Sequence, residues 1–142
     1  MTASDYLTQR LLNSTYGSNT PTLSTPATVY IALCSSSPSS DQDGTTIPEL
    51  DESGYSRFEV TNNDTNWDAA VLDGGDMVKD NAIVAEFGAN TGETDWAAAS
   101  HFAILDAATG GNLLDFGALS TSRTVQPGDL ARFPVGSIKV YY

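Results

Sequence analysis

His101-Phe102-Ala103-Ile104-Leu105 is apolar on both of its faces. In an extended chain Phe102 and Ile104 point one way, Ala103 and Leu105 the other. A strand that must bury both faces belongs in the middle of a sheet. Ala107-Ala108-Thr109-Gly110-Gly111 follows as a hairpin loop with glycines available for positive φ, and residues 113–119 return beside the first strand. Pro127-Gly128-Asp129 is a second tight turn, and residues 138–142 alternate to the final tyrosine. That last pattern predicts a C-terminus pinned in a sheet or an interface.

Working towards the N-terminus, residues 83–87 read as a further strand, and Asp73-Gly74-Gly75-Asp76 as a turn between short apolar pieces. Residues 55–61 alternate, with Tyr55, Arg57 and Glu59 opposite Ser56, Phe58 and Val60. Residues 28–33, Thr-Val-Tyr-Ile-Ala-Leu, form a buried strand. The polar stretch 35–53, with Pro38 and Pro48, is long for a loop in a compact domain and is expected to be functional or mobile. At the start, Ser4 suits an N-cap and Asp5 the positive end of a helix dipole. Leu7, Leu11 and Leu12 supply an apolar stripe, and Gly17 a stop. Residues 18–26, with two prolines, form an arm. Short strands joined by Gly, Pro and Asn turns predict a mainly β protein. The expected form is an antiparallel, jelly-roll-like β-sandwich with a short N-terminal α-helix and extended arm. The expected division is helix and arm over 1–26 and sandwich over 27–142, with acidic loops at 38–53 and 62–80.

The 142 residues carry 18 acids and 6 bases, a net charge of -12. Fourteen of the acids and two bases lie within 41–95, so this middle segment accounts for the whole excess. The two ends balance to zero. Two lysines and four scattered arginines exclude a nucleic-acid binder, whose phosphate contacts need clustered cations. The same sign argument excludes an anionic membrane surface. No apolar run approaches the roughly 20 residues of a membrane span. Residues 1–5 lack the basic and apolar regions of a signal peptide.

Little of the chain suggests catalysis. His101 with Asp106 or Asp115 and a serine would compose a hydrolytic triad, but there is no Gly-x-Ser-x-Gly elbow, and a structural histidine is expected. Cys34 has no basic neighbour in sequence and reads as a small buried hydrophobe. One cysteine and one histidine do not make a zinc site. Asp41, Asp43 and Glu52 have the first, third and twelfth spacing of a calcium loop, although Gly44 stands at the fourth position and Pro48 intervenes. They are a weak calcium candidate, and no cofactor is expected. Trp67 and Trp96, if exposed, would stack on sugar rings as in a carbohydrate-binding module; a core role is the commoner one.

The last third also carries an ordered pattern. It runs Trp96, His101-Phe102-Ala103-Ile104-Leu105-Asp106-Ala107, Thr109-Gly110-Gly111-Asn112-Leu113-Leu114, Gly117-Ala118-Leu119, Val125, Gly128-Asp129, Phe133 and Gly136. Near the start stand Asp5-Tyr6-Leu7 and Ala27-Thr28-Val29-Tyr30-Ile31-Ala32-Leu33. Together these resemble small tailed-bacteriophage virion proteins, tail-fibre-like or head-decorating. The acidic middle departs from that pattern through longer loops. The resemblance implies a non-enzymatic virion protein, assembled in the host cytoplasm. Its structural or interaction residues would include Tyr6, Leu7, Leu11, Trp96, His101, Phe102, Asp106, Gly110, Gly111, Gly128 and Asp129. Two placements follow. One is a cement subunit, expected as a homotrimer, stabilising the major capsid protein shell from outside. The other is a tail fibre, tail-tip or adaptor component involved in receptor binding, with tail proteins as partners. A short chain without repeat or shaft favours decoration. The charge split predicts neutral ends against the particle and the acidic middle in water.

Overall fold

The structure, a computed structural model, describes residues 2–16 and 25–142. The expected Gly17 stop and most of the arm lie outside the described residues. In chain order the elements are β1 (Thr2–Ala3), α1 (Asp5–Thr15), β2 (Thr28–Cys34), β3 (Phe58–Thr61), β4 (Val71–Asp73), β5 (Asp76–Asp80), β6 (Ala85–Ala89), β7 (Ala99–Leu105), β8 (Leu113–Arg123), β9 (Leu130–Phe133) and β10 (Lys139–Tyr141). The fold is mainly β, with antiparallel pairing throughout. No helix among the described residues is long and apolar enough to cross a membrane.

The principal sheet runs β1-β8-β7-β2-β3. β7 lies at its centre, as the two apolar faces of 101–105 require. One face presents Val29, Ile31, Leu33, Phe102 and Ile104 to a large core. β6 and β9 (Ala85, Phe87, Ala131, Phe133) pack on it, together with Ile138 and Val140. The opposing layer of this sandwich is split into a two-stranded sheet, β6-β9, and a three-stranded sheet, β10-β5-β4. The other face of the principal sheet holds Ala32, Cys34, Ala103, Leu105, Leu113 and Phe116, covered by Ile47.

The stretch 35–53 is fastened rather than loose. Ser35 N–H donates to Pro48 O (3.0 Å) and Leu50 N–H to Leu33 O (2.9 Å), while Ile47 and Leu50 enter the two cores. Proline and polar side chains hide these anchors from a composition reading. Residues 62–80, expected as an acidic loop, include the β4–β5 hairpin, closed by Gly74 and Gly75 at positive φ. A bulge between Ile104 and Leu105 pairs Ile104 with Asp115 and Leu105 with Leu113. Leu114 is the extra residue, so Leu114 and Asp115 both turn towards the large core.

The helix starts as expected: Ser4 accepts from Leu7 N–H at 3.1 Å, and its own hydroxyl donates to Leu113 O. This ties the cap to β8. Leu7 packs against the core, but Leu11 and Leu12 are exposed. The expected stripe therefore reduces to Tyr6 and Leu7 on the inner side.

Candidate functional site

A dense polar cluster centres on Arg57, just before β3. Its side chain is 5% exposed and forms a fork with Glu49, Nε to Oε1 at 2.9 Å and Nη2 to Oε2 at 2.7 Å. The remaining donors reach Ala107 O and Gly110 O (both 2.8 Å) and Gly44 O (3.1 Å). The Tyr55 hydroxyl donates to Glu49 (2.8 Å) and accepts from Leu33 N–H (3.0 Å). Burial pushes the Tyr55 hydroxyl pKa up, so it stays protonated. One guanidinium thus joins the 35–53 stretch to the 107–111 hairpin loop. Nothing in the sequence marked Glu49 as its partner; an arginine in an alternating, otherwise part-apolar segment was the available signal.

The residues of the ordered pattern are spread over the strands and their turns. Trp96 is buried, donates from Nε1 to Ser53 O (3.1 Å) and meets Tyr55 edge-on at 5.8 Å between ring centroids. Trp67 is buried as well, so neither tryptophan offers a face for sugar stacking. Phe102 lies in the core. His101 pairs with Cys34 and Ala118, and its Nδ1 lies 2.8 Å from the Ser100 hydroxyl. Asp106 accepts from the Asn112 backbone N–H (2.7 Å) and side-chain amide (2.8 Å), closing the hairpin that Gly110 and Gly111 turn. Gly128 turns the loop whose Asp129 O accepts from Asn90 N–H. His101, Asp106 and Asp115 do not come together through any hydrogen bond.

The calcium candidate is dispersed. Asp41 accepts from Ser39, Asp43 from Thr45 and Thr46, and Glu52 from Ala97 N–H. Hydrogen bonds from Ser39 and from Thr45 hold the Asp41 and Asp43 carboxyls below their usual range. Among the described residues no cluster of three or more His, Cys, Asp or Glu could hold a metal ion. Cys34 is fully buried, and burial pushes its thiol up to about 12.

Two features have no counterpart in the sequence pattern. The C-terminal Tyr142 hydroxyl donates to Asp115, a carboxyl that burial raises to about 6. Beside the helix, Tyr6, Leu7, Arg10, Pro26, Asp106 and Leu114 line a groove of about 350 Å³, with Arg10 5.4 Å from the centre of the Tyr6 ring. The outer side of the helix exposes Leu11, Leu12 and Tyr16. These side chains suit contact with another protein better than chemistry, since apolar surface held in water favours burial against a partner.

A mainly β chain whose polar clusters lock loops, with apolar side chains left outside, has the form of an assembly subunit. The family described as Podophage GP4 fiber I protein gp80 matches residues 2–141, and the chain belongs to that family. It is a structural component of a phage virion, assembled in the host, where it associates with other virion proteins. No curated protein matches the chain.

Proposed function

We propose that the chain is a fibre subunit or adaptor of the phage tail, seated on neighbouring virion proteins through its N-terminal helix. The observation that carries this reading is the extent of the family match. The match takes in residues 2–141, so the likeness to a family described as a fibre protein extends over nearly the whole chain and supports this reading. The exposed Leu11, Leu12 and Tyr16 beside the Tyr6–Leu7 groove supply an apolar contact surface. A role in host adsorption follows from the same reading: purified protein should compete with virions for host cells.

Capsid decoration is the second reading. A single small sandwich without a repeated unit or shaft favours it, because cement subunits need only one compact body to bridge shell proteins. Counting copies per virion separates the two. A few to a few dozen copies, with antibody-gold label at the tail, support the fibre. Hundreds of copies, with capsids losing heat or pressure resistance when the protein is stripped, support decoration and overturn the fibre reading. Light scattering on the purified chain tests the homotrimer that decoration implies.

A further inference from the structure

The acidic middle, expected to face water, carries an apolar edge. From Asp68 to Asp73 every residue is exposed, and the central four are Ala69, Ala70, Val71 and Leu72. Runs of four exposed apolar residues are uncommon unless something covers them. Val71 is 56% and Leu72 72% exposed. They belong to β4, one of the two outer strands of the β10-β5-β4 sheet.

Its hydrogen-bonding edge is open too. Met77 exchanges both backbone bonds with Tyr142, N to O at 2.9 Å and O to N at 3.1 Å. Met77 therefore spends its N–H and C=O on the β10 side. Leu72, its neighbour on the other side, sits at a non-hydrogen-bonded pair, and its N–H and C=O point out of the sheet. Across the sheet, Leu72, Met77 and Tyr142 form one row of exposed apolar side chains.

We infer that β4 is a docking edge to which an extended segment of another virion protein adds as a further strand, with an apolar centre and Lys or Arg at its ends. Charge selects this occupant. Asp68 and Asp73 close the apolar run at both ends, Asp73 stands directly opposite Asp76, and among the described residues none of the three carboxylates is ion-paired. Like charges so placed repel, and a cation from a partner relieves them. A second copy of this chain fits poorly. The antiparallel register that pairs the four apolar residues with each other sets Asp68 against Asp73 twice, between two chains of charge -12. Backbone hydrogen bonds would supply affinity, and the flanking carboxylates direction and selectivity. The inference rests on membership of a virion and holds for either placement above.

The test is a photo-cross-linking residue at Leu72 in assembled, infectious virions. The expected product joins this chain to a different virion protein, through a peptide carrying Lys or Arg. A product joining two copies of this chain, or no product, overturns the inference. Independently, Leu72→Asp should lower incorporation into virions at least tenfold while the purified variant melts close to the parent. Unchanged incorporation also overturns it. If that variant does not fold, the cross-link decides alone. Copy number and label position, which test the fibre reading, are unaffected by either result.

Discussion

Arg57 and Glu49 form a two-pronged ion pair that ties two loops, the 35–53 stretch and the 107–111 hairpin loop, to each other. Its contacts at 2.7 and 2.9 Å are matched to the guanidinium fork, and the arginine side chain is almost wholly enclosed. Removing one partner of such a pair leaves the other charged and buried, at a cost of about 3–5 kcal/mol. Arg57→Ala should lose stability on this scale, because Ala107, Gly110 and Gly44 also lose their donor. Arg57→Lys keeps the charge but not the fork, and should recover only part of the loss. Urea denaturation of the three proteins measures this. A loss below about 1 kcal/mol for Arg57→Ala would mean the cluster is a surface ornament.

The central strand was legible because 101–105 has no polar face to give to water, and the hairpin after it because Gly110 and Gly111 stand where positive φ is needed. Arg57 was placed on the correct side with Tyr55 by simple alternation. Glu49 was not, since it arrives from a loop, and periodicity says nothing about loops. Asp115 was hidden by one extra residue at Leu114: alternation fails at a bulge, and the carboxyl lands on the core side. The calcium spacing, for the opposite reason, brings no cluster together among the described residues. Sequence separation was right, but each carboxylate found a closer partner in Ser39, Thr45 or Ala97. For the β4 edge the sequence predicts only a turn with short apolar flanks, because exposure is a property of the packed sheet.

Asp115 should give stability an unusual pH dependence. Burial raises its folded-state value to about 6, above the unfolded value of 3.8. The folded protein therefore holds a proton that the unfolded chain has released between those values, and stability falls as pH rises through that window. At neutral pH the charged carboxylate costs about 3 kcal/mol. Asp115→Asn removes the charge and keeps an oxygen for the Tyr142 hydroxyl. The variant should be more stable than the parent at about pH 8, with the gap closing towards about pH 4. Denaturation across that range checks the sign; a gap that widens on acidification would contradict it.

Gly111 and Gly74 both adopt positive φ, +82° and +61°, but only one is crowded. A Cβ at Gly111 would meet Ala107 Cβ at 2.6 Å and Asp106 Oδ1 at 2.7 Å, within the hairpin that Asp106 closes. Gly111→Ala adds this clash to the backbone strain and should cost at least about 1–3 kcal/mol. At Gly74 nothing lies within 4 Å, and asparagine tolerates the left-handed region. Gly74→Asn should stay within about 0.5 kcal/mol of the parent. Thermal melts of the two variants make the comparison, and equal losses would refute the crowding argument.

Cys34 provides a probe of the same loop clamp. The thiol is fully buried between β7 and the 35–53 stretch, with a backbone bridge to Glu49, and burial pushes it up to about 12. At about pH 8 only about one thiol in ten thousand would be ionised, and the thiolate is the form that alkylates. Iodoacetamide should therefore label the native protein far more slowly than the urea-unfolded chain. Access requires the stretch carrying Glu49 to lift, and Arg57 is what fastens Glu49. Arg57→Ala should accordingly speed labelling at low denaturant, by more than its loss of global stability accounts for. Mass spectrometry of the modified chain over time measures both rates. If the variant labels only in proportion to its global unfolding, the stretch does not open separately, and the clamp acts on the whole fold at once.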